Sequence, residues 1–369
     1  MIYYFILILI VYVSLIWLLI FGFDKVETSN NQGFVPTTKF SVIVPFRNEE
    51  SVFLNLLNSF SKLNYPKNLF EIYAINDDSD DDSVQIFNKW QFENATISCR
   101  LLQNARTSNA PKKDAISTAI SKINNDWVIT TDADCVVHAN WLLAFDDLIQ
   151  SSNFEMLVGA VSIKETHGFL NHFQFVDLLS LQGTTIGSFG INRPFMCNGA
   201  NFAYTKNLFL AFNGFEGNDK IASGDDVFLL QKAINKSPQK VGYLKNNDAT
   251  VFTKSEKSWS KLFWQRVRWA SKTASYNGLF GKFLATVVLA MNLNLIVSFI
   301  FLPFVFCLLL LFVKVSSDLI LLFKTNKFIG QKKFSIPVFA AIFYPIFCVS
   351  VAMYSFFGKF EWKNRSFNA

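Results

Sequence analysis

Residues 127–134 read Trp-Val-Ile-Thr-Thr-Asp-Ala-Asp, an apolar run followed by two carboxylates one residue apart. The run is typical of a buried strand, which we predict over Trp127 to Thr131. Alternate side chains of a strand share a face, so Asp132 and Asp134 should repel each other unless a cation lies between them. Oxygen ligands of this kind suit Mg²⁺ or Mn²⁺. The alternative for a short acidic pair is a solvated turn or a helix cap.

The segments around this strand alternate between strand and helix patterns. Strands are predicted over residues 40–45 and 70–75, and helices over residues 48–60, 83–90 and 112–123. Such alternation predicts an α/β domain with a mostly parallel sheet and helices on both faces. Ligands of such a domain bind at the carboxyl ends of its strands.

Two further acidic groups lie where a strand ends or a helix begins. Residues 76–81, Asn-Asp-Asp-Ser-Asp-Asp, follow the strand over 70–75, and some of them should stabilise a turn or cap the next helix. Asp77 is nearest the strand end and is interpreted as a ligand-binding residue. Asp225 and Asp226 lie at the start of an apolar helix. The alternative to a functional role is that they cap the N-terminus of this helix and interact favourably with its dipole.

The composition predicts a membrane protein. Of 369 residues, 51% are hydrophobic, and the mean hydropathy of +0.27 is too high for two soluble domains. Residues 1–23 form an apolar run with no basic residue before it, which favours a retained anchor over a signal peptide. Lys25 after the run favours the N-terminus outside and the following domain in the cytoplasm. The membrane that we expect is a bacterial inner membrane.

The second half ends in further apolar runs. Residues 283–313 fit either one long tilted helix or a hairpin of two spans completed by residues 319–323. The basic loop around Lys324 to Lys333 favours the hairpin, while Lys314 within the run argues against it. Residues 336–357 should form a span kinked at Pro337 and Pro345. The expected organisation is an anchor (1–23), a linker (24–38), an α/β domain (39–257), an interfacial segment (258–282), two or three spans (283–358) and a polar tail (359–369).

Charge and cysteine content exclude several classes of partner. The net charge of +6 is spread along the chain and concentrated near the apolar runs, which indicates membrane lipid headgroups and not nucleic acid. The five cysteines show no C-x-x-C spacing, so neither a zinc site nor a disulfide framework is predicted. Free thiols fit a reducing cytoplasm.

A Trp- and Arg-rich segment precedes the C-terminal runs. In Trp264-Gln-Arg-Val-Arg-Trp269, Gln265 and Trp269 lie one helical turn apart with Arg266 and Arg268 beside them. The alternative interpretation is an amphipathic helix at a membrane surface.

Taken together, four ordered motifs resemble the signature of glycosyltransferase family 2. They are Asp77, Asp132 with Asp134, Asp225-Asp226, and Gln265 to Trp269. The resemblance is to the membrane-embedded branch that includes cellulose, hyaluronan and poly-N-acetylglucosamine synthases and ceramide glucosyltransferase. It extends from Phe40 to Trp269 and includes the flanking spans. It implies a GT-A-like fold and an inverting, metal-dependent transfer from a nucleotide-sugar, UDP-linked, to a lipid-linked or growing glycan acceptor.

The resemblance also implies roles for individual residues. On the donor side it implies nucleotide binding by Pro45, Arg47, Glu49 and Asp77, phosphate contacts by Lys113, and a divalent cation on Asp132 and Asp134. On the acceptor side it implies Asp226 as general base. Contacts with the donor sugar and the acceptor are implied for Asn198, Gly199, Asn201 and Asp225. An element of Gln265, Arg268 and Trp269 is implied to bind the diphosphate and to line the acceptor end. Two positions depart from the family pattern. Asn76 replaces an Asp, and Asp225 replaces a Glu.

Two other functions remain open. The first is a catalytically weak membrane subunit that binds nucleotide-sugar or polymer for a partner synthase. Loss of one of these carboxylates would indicate such a subunit, and none is missing. A transporter would need ionisable residues inside the spans, where Lys314 is the one candidate. The few spans predicted favour single transfer at least as much as polymer synthesis, unless the protein forms homo-oligomers or binds a synthase partner.

Overall fold

The computed structural model describes residues 2–29, 34–164, 167–218, 224–271, 278–330, 338–357, 359–362 and 365–368. The chain divides into two units. We name the first the α/β unit, formed by Glu27–Ser162 and Met196–Lys254. We name the second the helical unit, formed by Met1–Val26, Ile163–Phe195 and Ser255–Ala369.

The helices and strands alternate along the chain. The helices are α1 (Ile2–Lys25), α2 (Phe53–Phe60), α3 (Ser83–Glu93), α4 (Pro111–Ile120), α5 (Trp141–Gln150), α6 (Phe169–Gly190), α7 (Lys206–Ala211), α8 (Asp225–Lys236), α9 (Trp259–Ser271), α10 (Leu279–Phe301), α11 (Phe304–Ile329) and α12 (Val338–Phe357). The strands are β1 (Phe40–Phe46), β2 (Phe70–Asn76), β3 (Cys99–Gln103), β4 (Trp127–Thr130), β5 (Cys135–Val136), β6 (Met156–Gly159), β7 (Val161–Ile163), β8 (Phe202–Thr205), β9 (Val241–Leu244), β10 (Val251–Thr253), β11 (Lys359–Trp362) and β12 (Arg365–Asn368).

The α/β unit is built on a seven-stranded sheet with the order β3-β2-β1-β4-β8-β6-β9. Phe40 of β1 pairs in parallel with Phe70 of β2 on one side and with Trp127 of β4 on the other. β8 is antiparallel to both of its neighbours, β4 and β6. The prediction of an α/β domain with a mostly parallel sheet is therefore confirmed.

The core of this unit explains why β1 reads as a continuous apolar run. Val42, Ile43 and Val44 are all fully buried, because helices cover both faces of a parallel sheet. Phe53 of α2 packs on the same cluster and stacks with Phe87 of α3 at a ring distance of 6.2 Å. Burying each such side chain contributes roughly 1.5–3 kcal/mol.

The first helix of the α/β unit, α2, begins later than predicted. We expected it to begin at Asn48, but α2 begins at Phe53. Asn48 has a φ of 52°, in the left-handed region that Asn tolerates better than most residues. The next four residues form a turn in which the N–H of Val52 donates to the carbonyl of Glu49 at 3.0 Å. The polar residues after β1 are therefore held in a loop at the edge of the sheet.

The helical unit contains three described helices that are long and apolar enough to cross a membrane: α1, α10 and α11. The long run that begins at residue 283 is divided, since α10 ends at Phe301 and α11 begins at Phe304, directly after Pro303. The structure therefore has two helices here, as in the hairpin that we preferred to one long helix. Pro345 lies inside α12, while Pro337 and Lys332 lie outside the described residues.

Helix α6 was not predicted, and it packs against α1 through glycines. A Cβ atom added at Gly187 would lie 2.4 Å from the carbonyl oxygen of Leu19, and one at Gly190 would lie 1.8 Å from that of Gly22. The two backbones are therefore too close for any larger residue without movement. Small residues permit such close approach between helices in membranes.

The ionisable residue predicted inside a span is paired. Lys314 of α11 is buried and lies 2.8 Å from Asp318, one turn later on the same helix. The hydroxyl of Tyr12 in α1 donates to Asp318 at 2.7 Å. These contacts satisfy the buried charge within the helical unit.

The segment that we expected as a polar tail contains two strands, β11 and β12, which pair antiparallel.

Candidate active site

The candidate site lies at the carboxyl ends of β1, β2 and β4. The chain leaves β1 towards β2, whereas β4 lies on the opposite side of β1, so the order of the strands reverses here. Open α/β sheets bind ligands in the crevice at such a reversal. Arg47 follows β1, Asp77 follows β2 and Asp132 follows β4.

Asp77 is buried and is surrounded by donors. Its Oδ1 accepts hydrogen bonds from Arg106 Nε and from Asn104 Nδ2, both at 2.7 Å. Arg47 donates to its carbonyl oxygen, also at 2.7 Å. The structure brings the predicted Arg47 and Asp77 together and adds Asn104 and Arg106, which sequence reasoning missed. Both follow β3, a strand that we did not predict.

The rest of the acidic run stabilises the loop. Asn76 Oδ1 accepts from the N–H of Ser79 at 2.9 Å. The carboxylate of Asp81 accepts from the N–H groups of Ser83 at 3.0 Å and Glu50 at 2.9 Å. These are the turn and cap contacts of the alternative interpretation. Among the acidic residues of this run, Asp77 is the one that lies buried at the strand end.

An exposed lysine connects the first-strand loop with the second carboxylate of the D-x-D. Lys254 Nζ lies 3.5 Å from Glu49 Oε2 and 3.9 Å from Asp134 Oδ2. Glu49 and Asp134 therefore approach the same ammonium, which we did not predict.

Pro45, also predicted in the site, lies inside β1, where it is paired with Ile75 of β2.

The two carboxylates of the D-x-D do not lie on a strand. β4 ends at Thr130, and the next residues form a turn closed by the Cys135 N–H, which donates to the carbonyl of Asp132 at 3.0 Å. Asp132 approaches Lys112, while Asp134 approaches Lys254. The argument that strand alternation gives them a common face is therefore wrong, because the chain leaves the strand before either residue.

Lys113, predicted to approach the phosphates, is buried elsewhere in the unit. Its Nζ donates to the carbonyl of Asn218 at 2.5 Å and lies 5.1 Å from the centre of the Phe228 ring. These contacts hold the Lys113 side chain between Asn218 and Phe228 of α8. Its neighbour Lys112 instead reaches the carboxylates.

Lys112 is the cation of the carboxylate cluster. Its Nζ lies 2.8 Å from Asp132 Oδ1 and 3.3 Å from Asp225 Oδ2. Burial of the amine lowers the pKa of Lys112, but the carboxylates of Asp132, Asp225 and Asp226 raise it more, so the net pKa is well above the usual value. Lys112 is therefore charged at physiological pH.

Asp225 and Asp226 form the first turn of α8, next to a tightly packed glycine. Asp226 Oδ2 accepts from the N–H of Gly199, and its Oδ1 accepts from the N–H of Val227, both at 2.7 Å. Asp225 is buried against Lys112. The N-terminal end of the helix dipole favours both carboxylates. Ser223, quoted with this pair in the sequence, lies outside the described residues.

The loop before β8 places Gly199 in this cluster. Asn198 Oδ1 accepts from the N–H of Ala200 at 3.0 Å, which caps a single 3₁₀ turn. Asn201 is fully buried; its Nδ2 donates to two backbone carbonyls at 2.7 Å, and its Oδ1 accepts from Trp141 at 3.0 Å. Asn201, predicted to contact the sugar or acceptor, therefore holds the loop, while Gly199 faces the carboxylates.

In the helical unit, the predicted Gln265, Arg268 and Trp269 lie on α9. Gln265 Nε2 donates to Glu256 Oε1 at 2.8 Å. Arg266 is buried, forms a 2.6 Å ion pair with Asp177 and lies 4.1 Å from the centre of the Trp269 ring. Neither Arg266 nor Asp177 was among the predicted site residues.

The carboxylates suit a divalent cation bound together with a substrate. Among the residues that the structure describes, no three His, Cys, Asp or Glu side chains form a complete cage. Mg²⁺ characteristically uses one or two carboxylates and takes its other ligands from water and substrate phosphates. Asp132 and Asp134, two residues apart in the segment after β4, are the carboxylates here that could take part in such a donor set.

Two family models match the chain. The model described as glycosyl transferase family 2 matches residues 41–209, and that of glycosyl transferase family group 2 matches residues 127–357, more than half of the chain.

Two bacterial proteins are similar in sequence. TarS, the poly(ribitol-phosphate) beta-N-acetylglucosaminyltransferase of Staphylococcus aureus, is 28% identical over 130 residues, which are 35% of this chain and 22% of TarS. The probable glycosyltransferase YdaM of Bacillus subtilis is 26% identical over 238 residues, which are 63% of this chain and 54% of YdaM. The chain thus spans less than two thirds of the length of either relative.

A solved structure shows the fold. The mannosyltransferase PcManGT of Pyrobaculum calidifontis, in complex with GDP-Man and Mn²⁺, superimposes with a TM-score of 0.55 at 14% identity, covering 96% of this chain and 98% of that one. The fold of the α/β unit is therefore GT-A-like. The candidate membrane-spanning helices precede and follow it in the sequence.

Proposed function

Because the chain belongs to glycosyltransferase family 2, we propose that it transfers a sugar from a nucleotide-sugar to a lipid-linked or growing glycan acceptor, inverting the anomeric centre. The observation that carries this proposal is the convergence of Asp132 and Asp225 on Lys112, with Asp226 next to Asp225 in the first turn of α8. Residues from three separate parts of the chain thus form one charged cluster, in which the Lys112 ammonium can stabilise an anionic leaving group.

The proposed donor is UDP-linked and binds at the ends of β1 and β2. Arg47 and Arg106 both contact Asp77, which supports a nucleotide site formed by these three residues with Pro45 and Glu49. TarS is by name an N-acetylglucosaminyltransferase, which supports UDP-GlcNAc as a first candidate. PcManGT was solved with GDP-Man, so a guanine donor is a necessary comparison.

A divalent cation, Mg²⁺ or Mn²⁺, is proposed on Asp132 and Asp134. Mn²⁺ is present in the PcManGT complex. When bound, such a cation would neutralise negative charge on the diphosphate. Gln265, Arg268 and Trp269 are proposed to bind the diphosphate and to line the acceptor end. The guanidinium of Arg268 would act there by the same electrostatic principle.

Asp226 is the proposed general base. Two backbone N–H groups orient its carboxylate, one from Gly199 and one from Val227. Each carboxylate oxygen can accept more than one hydrogen bond, so Asp226 can still accept the proton of the acceptor hydroxyl. A base within hydrogen-bond reach of that hydroxyl increases its nucleophilicity as the sugar bond breaks.

The proposed location is a bacterial inner membrane, with the α/β unit in the cytoplasm. The apolar helices α1, α10 and α11 support membrane attachment. Lys257, Lys261 and Trp264 are exposed around the start of α9, which suits contact with lipid headgroups. A membrane-bound enzyme of this kind would meet lipid-linked acceptors directly. Polymer synthesis would in addition need a homo-oligomer or a synthase partner.

The test is turnover of a donor panel by the detergent-purified protein with lipid extract and Mn²⁺ or Mg²⁺, measured as release of free nucleoside diphosphate. The panel includes UDP-GlcNAc, UDP-glucose and GDP-mannose. Asp226→Asn should lower release at least about 100-fold, because it removes the base. Glu93→Gln, an exposed position on α3, is the matched control.

One result would refute this function. If donors bind but none is turned over under these conditions, the chain is the catalytically weak subunit that binds nucleotide-sugar for a partner synthase.

A further inference from the structure

Lys112 places a positive charge between two carboxylates of the candidate site. It belongs to the first turn of α4, whose N-terminal Pro111 has a φ suited to the start of a helix. Its Nζ lies between Asp132 Oδ1, at 2.8 Å, and Asp225 Oδ2, at 3.3 Å. The side chain is 21% exposed, so the ammonium is partly removed from water.

The ammonium stabilises a buried carboxylate. The Asp225 side chain is only 9% exposed, and a buried carboxylate is costly unless a positive partner lies close to it. Gly199 lies on the same side, where an added Cβ atom would lie 3.1 Å from Lys112 Nζ. Lys112 is therefore held next to Asp225 by charge, and Gly199 leaves space for its ammonium.

The same position opposes a second cation. A divalent ion on Asp132 would meet an ammonium that already contacts that carboxylate, and like charges at such distances repel strongly. A diphosphate changes this balance, because its oxygens offer new partners to the ammonium and new ligands to the ion.

We propose that Lys112 is a resident counter-ion that keeps the donor-free site poor in divalent metal and turns from Asp132 to the diphosphate when the donor binds. This inference rests on the proposed function, because it takes a nucleoside diphosphate as the ligand. It predicts that metal and nucleotide bind cooperatively. The coupling is reciprocal, so each must strengthen the other by the same factor.

The first experiment measures Mn²⁺ binding to the full-length protein in detergent without nucleotide, by electron paramagnetic resonance of the free ion. Lys112→Met should bind Mn²⁺ at least about tenfold more tightly than wild type, because the opposing charge is gone. The same variant should bind UDP in the presence of Mn²⁺ about tenfold more weakly, because a charge-assisted contact is lost. General damage to the site would weaken both.

Two controls accompany this variant. Lys122→Met removes an exposed lysine just after α4 and should change neither affinity. Thermal unfolding establishes that Lys112→Met is folded. Mn²⁺ affinity that stays equal to wild type, or falls, in folded Lys112→Met would overturn the inference.

The second experiment needs no variant. Wild-type protein should bind Mn²⁺ at least about tenfold more tightly with saturating UDP than without it. Equal Mn²⁺ affinity in the two conditions would overturn the inference even if Lys112→Met fails to fold. If no donor is turned over while Lys112→Met gains Mn²⁺ affinity, the proposed function is refuted and the role of Lys112 stands.

Discussion

The backbone N–H of Gly199 donates to Oδ2 of Asp226 at 2.7 Å, which joins the loop before β8 to the first turn of α8. The proposed base is thereby oriented by a residue 27 positions away in sequence. Thr130, the last residue of β4, donates to the carbonyl oxygen of Gly199 at 2.7 Å. The loop is thus held from both sides, and small changes in it should alter the reaction before they alter the fold.

Gly199→Ala should reduce turnover about tenfold or more while the melting temperature changes little. The new Cβ would lie 2.9 Å from Asp225 Oδ2 and 3.1 Å from Lys112 Nζ, and these ends of side chains can move. Diphosphate release and thermal unfolding measure the two effects. Gly278→Ala, with nothing within 4 Å of its added Cβ, is the control. Full activity in Gly199→Ala would show that the cluster tolerates displacement.

Arg106→Ala should raise the KM for the donor by roughly tenfold or more with a smaller change in kcat. The guanidinium makes the 2.7 Å contact with Asp77 Oδ1, and loss of it leaves a buried carboxylate short of a charged partner. Steady-state kinetics across donor concentrations separates the two constants. Arg100→Ala breaks the comparable but exposed ion pair with Glu71 and should leave KM unchanged. An unaltered KM in Arg106→Ala would remove Arg106 from the donor site.

Asp177→Asn should destabilise the protein by about 3–5 kcal/mol, because it leaves Arg266 buried without its anion. The pair lies at 2.6 Å, with both side chains less than 10% exposed. Thermal denaturation in detergent measures the loss. Glu155→Gln breaks the Lys240 pair, also at 2.6 Å but exposed, and should cost at most about 1 kcal/mol. Equal losses in the two variants would contradict the assigned burial of Arg266.

Gly187→Ala should destabilise the helical unit even though Ala favours a helix by up to about 1 kcal/mol over Gly. The added Cβ would lie 2.4 Å from the backbone carbonyl of Leu19, which cannot move as a side chain can. Overpacking of this kind costs about 1–3 kcal/mol. Thermal denaturation in detergent is again the measurement, with half-buried Thr184→Ala on the same helix as control. A stabilised Gly187→Ala would mean that α1 and α6 are not in backbone contact.

The adjacent strands β2, β1 and β4 could be predicted because their sequences carry the signal themselves. β1 and β2 are seven-residue strands of mainly apolar residues, each followed by polar loop residues. β6 and β8 have only four residues each, too few to show a period, and their place in the sheet depends on pairing with distant strands. Sequence reasoning therefore found the strands that Asp77 and Asp132 follow, but not the other strands of the sheet.

Helix α6 was missed because it has no polar face to define a period. Buried residues surround most of its circumference and include Gln174 and Asp177. Both polar side chains have partners in the helical unit, Glu256 and Arg266, that lie about 80–90 residues later in the chain. A pattern within one segment cannot reveal partners so far away.

The choice between Lys112 and Lys113 shows the limit of motif reading at the site. Successive residues on an α-helix point about 100° apart, so the exact start of α4 decides which ammonium reaches Asp132. The structure begins this helix at Pro111, and Lys112 faces the carboxylates. A sequence motif identifies the lysine pair but not the direction of either side chain.

The packing of α6 against α1 has a consequence for how the chain is made. Leu19 meets Gly187, so the two surfaces leave the ribosome far apart in time. At 5–20 residues per second, roughly ten to thirty seconds separate them. During this interval the first helix lacks its glycine-rich neighbour, while the segments on either side of Ile163–Phe195 belong to the other unit. Neither unit can be completed until translation has passed well beyond residue 195, so truncated chains should be cleared by proteases.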